Sequence, residues 1–154
     1  MTTMTMPTPR TPAPTSTPTE ASPAWAALVE AVREAGQYAT PAEAERITRT
    51  VLSALGGHVT GEERVALAHS LPHEAARLIA AEIPATHPLT AAEFVDSVAA
   101  RLEDTPPATA RWHVSSVLTT LPRLVPDEVI DDVLTQLPPG YALLFGRAEL
   151  APTL

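Results

Sequence analysis

The side chains of this chain that could bind a metal or transfer a proton are few and widely spaced. The 154 residues contain five histidines and no cysteine, which excludes disulfides, thiolate nucleophiles and cysteine-ligated metal sites. His69 and His73 are four residues apart, a spacing that can place two zinc ligands on one helix face. However, Leu71-Pro72 interrupts that helix, and no acidic residue completes a zinc-protease pattern. We interpret the pair as solvated loop residues.

One histidine lies within an apolar stripe. His113 follows Trp112 in a segment where Ala110, Val114 and Val117 recur at helical spacing. A partly buried histidine beside a tryptophan is a candidate cofactor ligand or pH-sensitive switch. The alternative is a boundary histidine whose ring nitrogens are bonded to the backbone, and the sequence leaves both open.

Carboxylates crowd one predicted helix start, at Asp127, Glu128, Asp131 and Asp132. The stretch "PDEVIDD" lacks the glycine-centred turn of a calcium loop, and the helix dipole already favours acidic residues in a first turn. We interpret it as a solvated acidic face. Nucleophile-elbow and phosphate-cradling motifs are also missing from the sequence. We therefore expect no enzymatic activity, no metal and no cofactor.

Composition narrows the class of partner. The net charge is −8, all ten basic residues are arginine, and none of them cluster, whereas nucleic acids and anionic membranes attract basic patches. No apolar run approaches the roughly 18 to 20 residues that span a bilayer, and the N-terminus does not resemble a secretory signal. We expect a cytoplasmic protein that binds neither nucleic acid nor membrane.

Residues 1–23 are mostly threonine and proline, with no Val, Ile, Leu or aromatic residue. Such a segment buries too little surface to offset its ordering entropy, so we predict a disordered tail. It could serve as a tether or docking peptide, or be a dispensable extension. Residues 149–154 form a short C-terminal tail.

Between these tails the chain repeats itself. A shift of 66 residues aligns 24–80 with 90–146 without a gap. Leu71-Pro72 recurs as Leu137-Pro138, and Val51-Leu52 recurs as Val117-Leu118. We interpret the repeat as an internal duplication, with unit one at 24–84 and unit two at 90–148.

Apolar residues recur at helical spacing in both units, which predicts an all-α fold. Thr40, Thr60 and Thr90 each precede a glutamate by three residues, which predicts capping boxes. A unit of roughly 60 residues buries too little surface to be stable alone, so we expect two four-helix units packed as one domain about a pseudo-twofold axis. The predicted helices span 24–35, 41–55, 61–70, 73–83, 91–103, 107–121, 127–136 and 139–148.

Three stretches together resemble a known family. They are Ala42–Pro72, the second copy ending at Val125–Phe145, and the helix Phe94–Leu102. In this order, their helix starts and Leu-Pro endings are similar to the bacterial family catalogued as domain of unknown function 2267. The resemblance covers residues 24–148 and implies an all-helical duplicated domain. It implies no catalytic residues, because the family has no established activity.

The second unit is more apolar than the first. Glu63 and Arg64 become Val129 and Ile130, and Arg77 becomes Leu143. The added apolar residues either cover the other unit or form an exposed groove for a protein partner or a second copy. The candidate interaction residues are Leu124, Val125, Val129, Ile130, Tyr141, Leu143 and Phe145.

The sequence therefore favours a non-enzymatic helical module that mediates protein interaction or self-association. The alternative is a small-molecule or cofactor-binding sensor. Its pocket would lie between the two units, near Trp112 and His113.

Overall fold

The computed structural model describes residues 22–103 and 105–147, and within these ranges the chain is entirely helices and turns. The predicted all-α class is confirmed. The predicted tails at 1–23 and 149–154 lie outside the described residues, except for residues 22 and 23. The helices are α1 (Pro23–Gly36), α2 (Pro41–Gly56), α3 (Gly61–Ser70), α4 (His73–Ala81), α5 (Ala91–Arg101), α6 (Pro107–Leu118), α7 (Asp127–Gln136) and α8 (Tyr141–Leu144), with a 3₁₀ turn at Leu121–Arg123.

Side chains cap several of the predicted helix starts. Of the capping box predicted at Thr40 only one bond is seen: Thr40 Oγ1 accepts from the Glu43 N–H at 3.2 Å at the start of α2. Ser22 Oγ accepts a hydrogen bond from the Trp25 N–H at 3.1 Å, which starts α1. Thr90 and Glu93 form a complete capping box at the start of α5. All three caps satisfy backbone N–H groups that have no partner within the helix.

The capping box predicted at Thr60 is wrong. Its side chain caps no N–H group of α3, and its own N–H donates to Oε1 of Gln136 at 2.9 Å. The Glu63 carboxylate would have accepted that N–H in a capping box, but it accepts from Nε2 of Gln136 at 2.7 Å. A side chain from the other half of the chain has therefore replaced the local cap.

Helix α2 is the centre of the core. Its residues Ile47, Thr48, Val51, Leu52 and Leu55 are fully buried. It packs against α1 and α4 of the first half and against α5 and α6 of the second half. The core is therefore shared between the two halves.

The helices pair across the halves in a reciprocal way. Helix α1 packs on α6 while α5 packs on α2, and α3 packs on α7. Helices α3 and α7 begin and end 66 residues apart, at 61–70 and 127–136. A pseudo-twofold arrangement of two related units requires this exchange of helix partners. That the two units arose by duplication stays a prediction.

The C-terminal end of α2 is buried against α4. A Cβ atom added at Gly56 would lie 2.7 Å from the carbonyl oxygen of Ile79, so only glycine fits at this crossing. The last carbonyl groups of a helix lack partners within the helix and need donors when they are buried. The guanidinium of Arg64 supplies them: it donates to the carbonyl oxygens of Gly56, Ile79, Val59 (3.1 Å) and Glu82 (2.8 Å).

The second half is built differently at the corresponding place, because Pro122 stands where the first half has Gly56. Proline has no N–H to donate to the carbonyl of Leu118, so the helix cannot continue through it. The helix predicted over 107–121 therefore ends at Leu118 and a 3₁₀ turn follows. Ile130, which aligns with Arg64, is an apolar side chain in the core.

The last predicted helix, 139–148, is wrong in length. It spans only Tyr141–Leu144, because Gly140 precedes it with φ 101° and Gly146 follows it with φ 82°. The Arg147 N–H donates to the carbonyl of Ala142 at 2.8 Å, which closes the helix end.

We predict that Arg64→Ala lowers the free energy of unfolding by about 2–4 kcal/mol, because part-buried carbonyl groups lose a charged donor. The measurement is urea unfolding followed by far-UV circular dichroism. Arg77→Ala is the matched control, since Arg77 is exposed on α4, and it should change stability by less than about 0.5 kcal/mol. We call Arg64 and the four carbonyl groups to which it donates the Arg64 clamp. Equal losses of stability in the two variants would contradict this stabilising role of the clamp.

Candidate functional site

Trp112 and His113 both contact the end of α1, in the other half of the chain. The Trp112 Nε1–H donates to the carbonyl oxygen of Gly36 at 3.0 Å. Nδ1 of His113 lies 2.6 Å from the hydroxyl of Tyr38, and the two rings tilt against each other with centroids 5.4 Å apart. Tyr38 is buried over Gly36, where an added Cβ would lie 2.2 Å from the tyrosine ring. The two predicted residues therefore form a polar latch between the halves.

Burial sets the protonation of this latch. Desolvation lowers the pKa of the half-buried His113, while Glu43 raises that pKa and Arg46 lowers it further. Desolvation likewise raises the pKa of Tyr38. The imidazole is thus held neutral, and a neutral Nδ1 can accept the hydrogen bond from the Tyr38 hydroxyl.

Four of the seven predicted interaction residues are not surface residues. Val125, Ile130, Tyr141 and Phe145 are at most 2% exposed and belong to the core. The Tyr141 hydroxyl also donates to the carbonyl of Leu89, just before unit two, and its ring packs against Phe94 of α5. For these four residues, the apolar side chains of the second unit pack in the core and do not form an exposed groove. Of the other three, Val129 is partly buried, whereas Leu124 and Leu143 are exposed.

The other residues considered for chemistry stay apart. His69 lies in the last turn of α3 and His73 begins α4, and both are exposed. Asp127 and Asp131 accept hydrogen bonds from Arg147, which partly neutralises the acidic face. In the two described ranges, no group of three or more His, Asp or Glu is placed to hold a metal ion.

A cleft of about 420 Å³ lies where the halves meet, lined by residues from 57–60, 85–88 and 136–138. Neither Trp112 nor His113 lines it, so this cleft is not at the predicted pocket position. Two histidines do line it: His58 after α2 and His87 in the linker between the units. All three segments are turns or helix ends, which carry no periodic signal, so hydrophobic patterns in the sequence could not bring them together.

Two contacts fix the walls of the cleft. The Ala85 N–H donates to the carbonyl of Gly57 at 2.7 Å, which holds the linker against the end of α2. The Gln136 amide accepts from the Thr60 N–H and donates to the Thr60 carbonyl at 2.8 Å. Sequence reasoning did not single out Gln136, because an exposed glutamine at a helix end is ordinary. The one feature of the sequence that marks Gln136 is a difference between the halves, because the aligned position in the first half is Ser70.

His58 is a partly buried polar residue of this cleft. Its ring packs edge-on against Phe94, with centroids 5.6 Å apart. Desolvation lowers the pKa of His58, with Arg101 acting in the same direction and Glu82 against it. Among the described residues, no side chain or backbone group is hydrogen-bonded to its ring nitrogens. Burial thus favours the neutral form of this imidazole, and within the described ranges its ring nitrogens have no protein partner.

The sequence profile of the family described as Uncharacterized conserved protein (DUF2267) matches residues 25–144. This match spans α1 to α8 and includes both the latch and the cleft. The chain belongs to the DUF2267 family. No curated protein matches it. None of the described helices is long and apolar enough to cross a membrane.

We predict that the protein loses stability as the pH falls below about 6.5, the ordinary pKa of histidine. His58 and His113 have lowered pKa values when folded, so the unfolded chain binds protons first. Their contribution is complete above pH 6.5 and is lost as the pH falls through the folded pKa values. Urea unfolding at a series of pH values measures this loss.

The variant His113→Gln cannot titrate and should therefore show a shallower loss of stability between about pH 6.5 and 5. The exposed His69 provides the matched control, and His69→Gln should keep the wild-type slope. An unchanged slope in His113→Gln would contradict a neutral, latched His113.

Proposed function

We propose that this chain is a non-enzymatic cytoplasmic module that associates with protein, and that its partner is a second copy of the same chain. The observation that supports this proposal is the exposure of Trp112. All six aromatic residues lie in the described part of the chain, and five of them are buried. Trp112, by contrast, is 51% exposed.

The Trp112 ring is exposed in a fixed orientation. Its Nε1–H is bonded to the Gly36 carbonyl, so the ring cannot turn freely. An anchored aromatic side chain loses little conformational freedom on association, and tryptophan is enriched among residues that dominate interface energetics. Leu124 and Leu143 add exposed apolar surface in the same half of the chain.

The net charge of the chain opposes self-association, and the dependence of association on salt concentration therefore provides a test. Two copies with a net charge of −8 repel each other, and salt screens that repulsion. An apolar contact through Trp112 should therefore tighten as the salt concentration rises. An association held together by ion pairs would weaken instead.

We predict a concentration-dependent dimer by size-exclusion chromatography with light scattering. Trp112→Ala should raise the dissociation constant by about thirtyfold, which corresponds to the ~2 kcal/mol of an interface hot spot. Val65→Ala is the matched control, because Val65 is also exposed but lies on α3. A wild-type chain that stays monomeric at every concentration and salt would sink the self-association proposal.

A fluorescence experiment locates the contact. In the variant Trp25→Phe, Trp112 is the only tryptophan, so emission reports on its surroundings alone. Its emission should shift to shorter wavelength as the dimer forms. Dimerisation without this shift would place the contact on another face.

A second function, small-molecule sensing between the two halves, is supported by the cleft at His58 and His87. Its volume of about 420 Å³ lies within the range of ligand sites. Native mass spectrometry of the purified chain tests this function. A reproducible extra mass that is lost in a cleft variant would support the sensing function. A chain that never carries extra mass, or an extra mass that cleft variants retain, would contradict it.

A further inference from the structure

We infer that the cleft between the halves binds an uncharged, flat molecule that carries both hydrogen-bond donors and acceptors. This inference rests on the second proposed function and names its ligand class. It depends on three features of the cleft: no Asp, Glu, Lys or Arg among its described lining residues, two histidines that each offer at least one ring nitrogen, and an apolar edge.

Among the described residues, no aspartate, glutamate, lysine or arginine lines the cleft, although the full chain carries 28 such residues. The nearest charges that act on His58 are Glu82 and Arg101, and these two are paired with each other at 3.4 Å. A charged ligand would lose hydration on entering and would meet no opposite charge among these lining residues, since the Glu63 carboxylate next to the cleft already accepts a hydrogen bond from Gln136. The cleft therefore selects against ions of either sign.

The polar groups of the cleft can serve a neutral ligand. A neutral imidazole has one N–H donor and one acceptor nitrogen, and both nitrogens of His58 are free among the described residues. His87 has used Nδ1 on the Thr86 hydroxyl at 3.1 Å, which leaves Nε2 for a ligand. The Gln136 amide is already bonded to Thr60, so it shapes the wall rather than contacting the ligand.

Three of the remaining lining residues are apolar and larger than alanine. Leu137 and Pro138 form one edge, and Pro88 of the linker contributes to another. Proline rings fix the backbone φ angle, and their methylene groups present apolar surface. A planar ring with an amide-like edge can pack its face on these apolar groups while its edge bonds to the imidazole nitrogens.

Three compounds of nearly the same shape test the inference. Benzamide is neutral with a donor and an acceptor, benzoate is anionic and benzamidine is cationic. Each is titrated into the full-length ¹⁵N-labelled protein while the backbone amides of Gly57, Thr86 and His87 are followed by NMR. Benzamide should shift these signals with saturation, and its dissociation constant should be at least about tenfold lower than that of either charged compound.

Variants then assign the contact. His87→Ala, at an exposed linker position, should weaken benzamide binding about threefold to tenfold, as expected for one hydrogen bond. His69→Ala also removes an exposed histidine but lies outside the cleft, and it should leave binding unchanged. Equal weakening by both variants would overturn the assignment to this cleft.

The possible outcomes distinguish the ligand class inferred here from the small-molecule function on which it rests. If benzoate or benzamidine binds the cleft as tightly as benzamide, the cleft is a ligand site but the uncharged class is wrong. If none of the three compounds shifts the cleft signals, both the ligand class and the small-molecule function are overturned.

Discussion

Helix α2 packs against both halves of the chain at once, and the rest of the structure depends on this shared burial. Its residues Ile47, Val51, Leu52 and Leu55 lie against helices that come before it and after it in sequence. A half of about 60 residues would by itself bury a small fraction of its surface and be only marginally stable. Each half therefore completes the core of the other, and polar contacts between them need only fix their relative position.

Because α2 ends inside the protein, its last carbonyl groups need donors other than water. Gly56 allows α4 to approach closely, and Arg64 then satisfies the carbonyl ends of both helices. The backbone that leaves this clamp continues through His58, in a wall of the cleft. The clamp, the bond from Gln136 to Thr60 and the latch at His113 thus connect the core to the surfaces that could bind partners.

The sequence predicted the features that depend on local hydrophobic periodicity and on the residues that start and stop helices. The all-α class, the start of α1 and the capping box of α5 are of this kind. It did not predict the contacts that depend on the other half of the chain. Whether Val125, Ile130, Tyr141 and Phe145 were core or surface depended on what packs over them, and the Thr60 cap failed because Gln136 competes for its N–H. Periodicity shows that a helix face is apolar without showing what covers it.

The most direct test of the shared core is native-state hydrogen exchange resolved by residue. If α2 ties the halves together, the slowest amides of α2, α5 and α6 should exchange through one global opening, with equal free energies and equal dependence on denaturant. A second half whose slowest amides open at clearly lower free energy than those of α2 would contradict the account. The halves would then be separate folding units that merely touch.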